Sequence, residues 1–368
     1  MRRVSIFGST GSIGCNTVDL LHRQGGVGRY RVRALTGAGN IALLAQQAQD
    51  LRAEVAVTAD PARLGDLSDA LGDCGCRAMA GPEALLEAAA MPTDWVMSAI
   101  VGVAGLAPTL AAAAHTRVLA LANKESLVCA GALLLDTCAR HGTTLLPVDS
   151  EHSAIFQALR GEDATRVERI LLTASGGPFR TWPLERMRAV TPAEAMAHPN
   201  WSMGARISID SATMFNKALE LIEAKVLFDV SPDAIEVVVH PQSIIHSMVG
   251  FVDGSILAQL GPPDMRGAIG FALNWPERQT LPVERLDFAK LSTLDFEGED
   301  RARFPALNLA RGALRAGGLS GAVLNGAKEV ALDKFLANQI GFLDIAALVA
   351  HVLDQEGRSA AAVGPGFG

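Results

Sequence analysis

The residues with the clearest chemical promise are Asp149, Ser150 and Glu151, which end the short apolar run Leu145, Leu146 and Val148. On extended backbone, Asp149 and Glu151 would face the same side, because strand side chains alternate with period 2. Two carboxylates on one face repel each other unless a cation sits between them, and all-oxygen ligands suit Mg²⁺ or Mn²⁺. A plainer reading fits the same residues: a helix N-terminus with Ser150 as cap and acids facing the dipole. A second group lies in Asn216-Lys217-Ala218-Leu219-Glu220, where positions 216, 217 and 220 share one helix face. Lys217 and Glu220 read either as a surface ion pair of little weight or as part of a site. Ser211 precedes this helix, and Ser175 lies in a glycine-rich turn. Hydroxyls, an amide, a lysine and helix N-termini are what a phosphate monoester requires.

These residues need elements to hold them. Val4 to Phe7 reads as a strand, followed at once by Gly8-Ser9-Thr10-Gly11-Ser12-Ile13-Gly14 and a helical run to about His22. Strand, glycine turn and helix N-terminus are the order that a dinucleotide pyrophosphate needs. The spacing is G-x-x-G-x-x-G, so the position carries more weight than the motif, and an ordinary βα turn is the competing reading. The next strand, Tyr30 to Leu35, ends in Thr36-Gly37-Ala38-Gly39-Asn40. No acid is present there to bind a ribose 2′-hydroxyl, which favours NADP over NAD. No Arg or Lys is present either, so a 2′-phosphate would rely on Asn40, backbone amides or a residue from elsewhere.

Strands and helices then alternate as far as Asp149, which implies a parallel sheet with ligands at the carboxyl ends of its strands. Gly8, Asn40, Ile100, Asn123 and Asp149 all follow strands and are expected along one edge. After Leu159 the pattern changes. Arg169 to Thr173 is a strand, and Ile235 to Val239, Ser243 to Val252 and Ser255 to Gln259 read as antiparallel strands, with Asp253-Gly254 as a hairpin turn. The expected fold is α/β. It has an N-terminal Rossmann-like parallel-sheet domain over 1–149 and an α+β domain with antiparallel strands over 150–276. A linker over 277–305 leads to a C-terminal helical domain over 306–368.

Composition excludes several classes. Among 368 residues the net charge is −7, with pI near 5.6, which argues against nucleic acid or anionic membrane as partner. The apolar stretch Val96 to Ala114 is broken by Gly102, Gly105 and Pro108, so it reads as strand, loop and helix instead of a membrane span. The chain begins directly in a strand, and no signal peptide is expected. Five scattered cysteines fit reduced thiols, and a cytoplasmic location is expected.

Eight segments occur in order: GSTGSIG at 8–14, LANKES at 121–126, PVDSEH at 147–152, TASGGPFR at 173–180, HPNWSMG at 198–204, DSATMFNKALELIEA at 210–224, HPQSIIHSMV at 240–249 and LGPPDMR at 260–266. Together they closely resemble the 1-deoxy-D-xylulose 5-phosphate reductoisomerase family, over nearly the whole chain. The resemblance implies rearrangement of 1-deoxy-D-xylulose 5-phosphate, by retro-aldol cleavage and a new aldol bond or by a ketol shift. Reduction by NADPH to 2-C-methyl-D-erythritol 4-phosphate follows, on the methylerythritol phosphate route to isoprenoid precursors. It implies Asp149, Glu151 and Glu220 as ligands of Mg²⁺ or Mn²⁺, with Co²⁺ as an alternative. Ser175, Ser211, Asn216 and Lys217 would hold the phosphate, and Lys124 and Ser150 the hydroxyl and carbonyl end. Residues 198–203 would form a flap, with His198 and Trp201 closing over the substrate. Gly8, Thr10, Gly11, Ser12, Ile13, Ala38, Gly39, Asn40, Asn123, Glu125 and Gly204 would contact NADPH. Lys124, Glu151, His198 and Glu220 would be catalytic, and a homodimer is implied. His240 and His246 are assigned to sheet structure.

The chain departs from the family's usual pattern at Gly39, where a small polar or basic residue is common, and at Lys328, where asparagine is more usual. Two rival readings are a metal-independent NADP dehydrogenase and a non-catalytic dinucleotide sensor.

Overall fold

The computed structural model describes residues 1–197 and 204–362, and the chain divides into two compact units. The first comprises Met1–Ser126, Leu133–Asp149 and Met265–Val283. Its strands are β1 (Arg2–Phe7), β2 (Tyr30–Gly37), β3 (Val55–Thr58), β4 (Arg77–Ala80), β5 (Trp95–Ser98), β6 (Val118–Leu121) and β7 (Thr144–Pro147). All pair in parallel, in the order β4-β3-β2-β1-β5-β6-β7. β3 and β5 are buried at every position. Helical crossovers cover both faces of a parallel sheet, so its strands are apolar throughout and do not alternate. The order turns back between β1 and β5, and ligands of such sheets bind outside the carboxyl ends at that reversal.

The segment Met265–Val283 returns to this unit. Its helix Arg266–Asn274 packs on the helix Ser12–Arg23. Trp95, fully buried in β5, donates its indole N–H to the Ala272 carbonyl at 3.0 Å.

The second unit comprises Leu127–Ala132, Ser150–Asp264 and the described residues from Glu284 onward. Its strands are β8 (Val167–Ala174), β9 (Ile235–Val239), β10 (Ile245–Phe251), β11 (Ile256–Leu260) and the two-residue β12 (Glu297–Gly298), in the order β11-β10-β8-β9-β12. β10 runs antiparallel to β11, as expected, and antiparallel to β8 as well. β9 does not follow the expectation of an antiparallel strand: it pairs parallel with β8 and antiparallel only with β12. Helices at Leu184–Met187, Pro192–Ala195, Ala205–Ala212 and Phe215–Phe228 lie between β8 and β9. A helical connection of that length carries the chain back and returns it in the same direction.

The helix Ser150–Ala158 packs on β10 and β11, and Phe215–Phe228 packs on Ala306–Ala316. Phe179, Phe215, Phe335 and Phe342 are buried in one core here. The Phe179 ring lies 4.7 Å from Trp182 and 5.1 Å from Phe342. The C-terminal helices Ser320–Leu336 and Asp344–Ala362 close that core.

Candidate functional site

In the first unit, the turn after β1 is built for close approach. Gly8 has φ +87°, and a Cβ there would meet the Ala99 carbonyl oxygen at 2.5 Å; a Cβ on Gly14 would meet the Gly8 carbonyl oxygen at 2.2 Å. Only glycine permits this strand, turn and helix to pack so closely. The helix Ser12–Arg23 begins at Gly11 with no side-chain cap bond, and an uncapped helix N-terminus of this kind suits an anion. Thr10 lies in the same turn, and the Gly8 N–H donates to Thr36 Oγ1 at 2.9 Å. Ala38, Gly39 and Asn40 follow β2 and are exposed. Asn40 caps the helix Ile41–Asp50 through Leu43 N at 3.2 Å. These features fit a dinucleotide.

Asn123 follows β6 and caps the helix Lys124–His141 through Ser126 N at 2.9 Å. Its amide also donates to the Ile100 and Gly102 carbonyls, at 2.7 and 2.9 Å, and to Glu125. It therefore braces the loop after β5 against β6. Lys124, buried at the start of this helix, donates Nζ to Asp149 Oδ2 at 2.7 Å.

Asp149 is the residue at which the first unit passes into the second. Ser150 already begins a helix, so the extended-strand geometry that would align Asp149 with Glu151 does not apply. The helix start carries Glu151 instead, and in the second unit the carboxylate oxygens of Glu151 and Glu220 lie within 4.8 Å of each other. Ser150 Oγ bonds the Glu151 carboxylate. In the second unit, Lys217 Nζ donates to Glu151 Oε1 at 2.7 Å and also to the Glu220 carboxylate. Asn216 Nδ2 donates to the other oxygen of Glu220. Lys217 is 3% exposed and Glu220 0%, which removes the surface-pair reading. A donor set made only of carboxylate oxygens fits Mg²⁺ or Mn²⁺.

Ser175 Oγ accepts from Gly177 N at 3.2 Å, and Gly176 and Gly177 have φ of +82° and +69°. A Cβ on Gly177 would meet the Ser211 carbonyl oxygen at 2.9 Å. The Ser175 turn thus seats on the end of the helix Ala205–Ala212, which carries Ser211. Met214, with φ +62°, then turns the chain into Phe215–Phe228, so Ser211, Asn216 and Lys217 flank one corner. Gly204 is the N-cap of Ala205–Ala212 and accepts Ser208 Oγ at 3.0 Å. His198 and Trp201 lie outside the described residues.

Three residues emerge here that the sequence did not single out for the site. His152 is fully buried, with Nε2 at 3.0 Å from the Glu220 carbonyl oxygen and its ring stacked on Phe228. It ties the helix carrying Glu151 to the helix carrying Glu220. Its only signal was its place on the turn after Glu151. His246 is in β10, as assigned, yet lies within electrostatic range of Glu151 and Lys217; burial lowers its pKa, and Glu151 opposes that shift. Arg63 donates Nη1 to the Gly39 carbonyl at 3.2 Å. Nothing in the pattern of Pro61-Ala62-Arg63 marks that contact.

A parallel sheet with a glycine turn for phosphates, and a second unit rich in buried carboxylate–lysine contacts, define an α/β enzyme of the dinucleotide-dependent kind. Residues 4–131 match the model described as 1-deoxy-D-xylulose 5-phosphate reductoisomerase. Residues 145–228 match the C-terminal domain of that enzyme, and residues 260–363 a DXP reductoisomerase C-terminal domain. The chain is 63% identical over 355 residues to the 1-deoxy-D-xylulose 5-phosphate reductoisomerase of Ruegeria pomeroyi, covering 96% of this chain and 89% of that protein. It is 62% identical to that of Sinorhizobium fredii, covering 98% and 93%. Among solved structures, the Zymomonas mobilis enzyme in complex with NADPH superposes with TM-score 0.89 at 50% identity, covering 98% of this chain and 97% of that one. A DOX-P reductoisomerase in complex with NADPH, fosmidomycin and magnesium gives 0.93 at 43%, covering 98% and 90%. The chain belongs to the 1-deoxy-D-xylulose 5-phosphate reductoisomerase family.

Proposed function

We propose that this chain converts 1-deoxy-D-xylulose 5-phosphate to 2-C-methyl-D-erythritol 4-phosphate, using NADPH and a divalent cation. The observation that carries this reading is the buried contact of Lys217 with Glu151 and Glu220. A cation-seeking acid pair and a phosphate-seeking ammonium there share one spot.

Asp149, Glu151 and Glu220 hold the metal, with Mg²⁺ and Mn²⁺ both suited to the donors. Bound NADPH supplies the hydride, and the metal supplies Lewis-acid polarisation of substrate oxygens. Ser175, Ser211, Asn216 and Lys217 grip the phosphate, a handle remote from the reacting carbons whose binding energy orients the sugar. Lys124 and Ser150 face the carbonyl and hydroxyl end, and the Lys124 ammonium offsets negative charge developing on oxygen. Gly8, the Thr10–Ile13 turn, Ala38–Asn40, Asn123, Glu125 and Gly204 contact NADPH.

The chain acts as a homodimer. β11 is an edge strand with Ile256 and Leu257 exposed at 46% and 40%, and an apolar edge of that kind invites a partner strand. A cytoplasmic setting accords with five cysteines that form no disulfide. Among the described residues no helix is long and apolar enough to cross a membrane.

The test follows NADPH absorbance with purified chain and 1-deoxy-D-xylulose 5-phosphate, with Mg²⁺ and with a chelator. Metal-dependent oxidation is expected. No oxidation from folded, metal-loaded protein would remove the assignment.

A further inference from the structure

A dinucleotide bound at the first sheet would place its adenosine ribose near the loop after β2, at Ala38–Asn40. That loop has neither acid nor base of its own. Asn40 already spends its side-chain oxygen on Leu43 N. A Cβ on Gly39 would meet nothing within 4 Å, so the loop is open on that side.

The neighbouring loop, after β3, closes on it. Ala59 N donates to the Gly37 carbonyl at 2.8 Å, and Thr58 Oγ1 to the Ala38 carbonyl at 2.9 Å. Arg63 completes the contact through Nη1 to the Gly39 carbonyl at 3.2 Å, while its Nε donates to Asp66 Oδ2 at 2.6 Å. Asp60, at the start of the same turn, accepts Ala62 N at 3.0 Å. A guanidinium carries five N–H donors in a rigid fork, and these two bonds leave several for a further anion. The Asp66 bond is exposed on both sides, 38% and 59%, so a phosphate dianion can displace a single carboxylate from it.

We propose that Arg63 reads the adenosine 2′-phosphate and thereby sets the preference of this chain for NADPH over NADH. The proposal rests on the NADPH reading above. A cation borrowed from the next loop does the work that the cofactor loop, lacking any charge, leaves undone. The Asp66 carboxylate keeps the fork oriented until the phosphate arrives.

The test measures dissociation constants by titration calorimetry on the full chain, wild type, Arg63→Ala and Arg63→Lys, for NADPH, NADH, 2′,5′-ADP and 5′-AMP. Thermal melting of each variant confirms folding, and the exposed position makes retention of the fold the expectation. Arg63→Ala should weaken NADPH and 2′,5′-ADP by about tenfold or more, with NADH and 5′-AMP changed by less than about twofold. Arg63→Lys should fall between, since lysine keeps the charge and loses the fork. If Arg63→Ala weakens all four probes equally, or none, Arg63 does not read the phosphate. If wild type binds neither NADPH nor NADH, the cofactor reading itself fails.

Discussion

At the scale of single side chains, Glu220 and Lys217 carry the sharpest tests of the proposed chemistry. Glu220 is fully buried and accepts from both Lys217 and Asn216, so its charge is held by design of the helix face. Glu220→Gln keeps the shape and loses the charge. Turnover should drop by roughly a thousandfold or more, as for loss of a metal ligand, while NADPH titration stays near wild type. Wild-type-like turnover would take Glu220 out of the metal set. Lys217→Ala should raise KM for the sugar phosphate by about tenfold or more with a smaller change in kcat. An unchanged KM would return Lys217 to a structural role.

Elements carry a different kind of dependence. Lys328, on Ser320–Leu336, is buried and donates to Asp210 Oδ2 at 3.0 Å, on the helix that also carries Ser211. A buried pair adds little stability in itself, but breaking it strands a charge. Lys328→Met should destabilise the chain by roughly 3 kcal/mol, read as a lower thermal midpoint, and Asp210→Asn on that background should recover part of it. Arg3 of β1 pairs with Asp94 at 2.8 Å, just before β5. The Arg3 hydrogen bond holds the Asp94 carboxyl at about 2, below its usual 3.8. A carboxylate with a depressed folded pKa adds stability above its unfolded value, lost as pH falls through the folded value. The Arg3→Ala chain should therefore lose less stability than wild type between pH 4 and pH 2. Parallel acid-melting curves would disprove the linkage.

The elements also show what a sequence can reveal. The parallel sheet was legible because its strands and helices alternate over short, cleanly punctuated stretches, and because the glycine turn follows β1. The direction of β9 was not, since a strand's own pattern is the same whichever way its neighbour runs. β12 is too short for any periodicity to mark it. Asp149, Glu151, Lys217 and Glu220 were legible as residue types at suggestive spacing, but only burial removes the surface-pair reading of Lys217 and Glu220, and burial belongs to the fold. Arg63 was illegible for another reason: its meaning lies in a carbonyl on a different loop.

For the molecule as a whole, the exposed edge at β11 is the feature with the widest reach. A strand paired on one side only and bearing exposed Ile256 and Leu257 tends to recruit another strand along its open edge. The wild-type chain should elute as a dimer, and Ile256→Lys with Leu257→Glu should shift it toward monomer on size exclusion with light scattering. A wild-type monomer at micromolar concentration would refute pairing through this edge.

The Lys217 contact reaches further than affinity. Two carboxylates against one ammonium leave Glu151, Glu220 and Lys217 with one net negative charge, a poor host for a phosphate dianion. Under the proposed function, a divalent ion would reverse that sign and loosen the hold on Lys217, and the phosphate would then restore it. The cluster would then work as an ordered gate, admitting its second input only after the first, with its net charge changing sign at each step of loading.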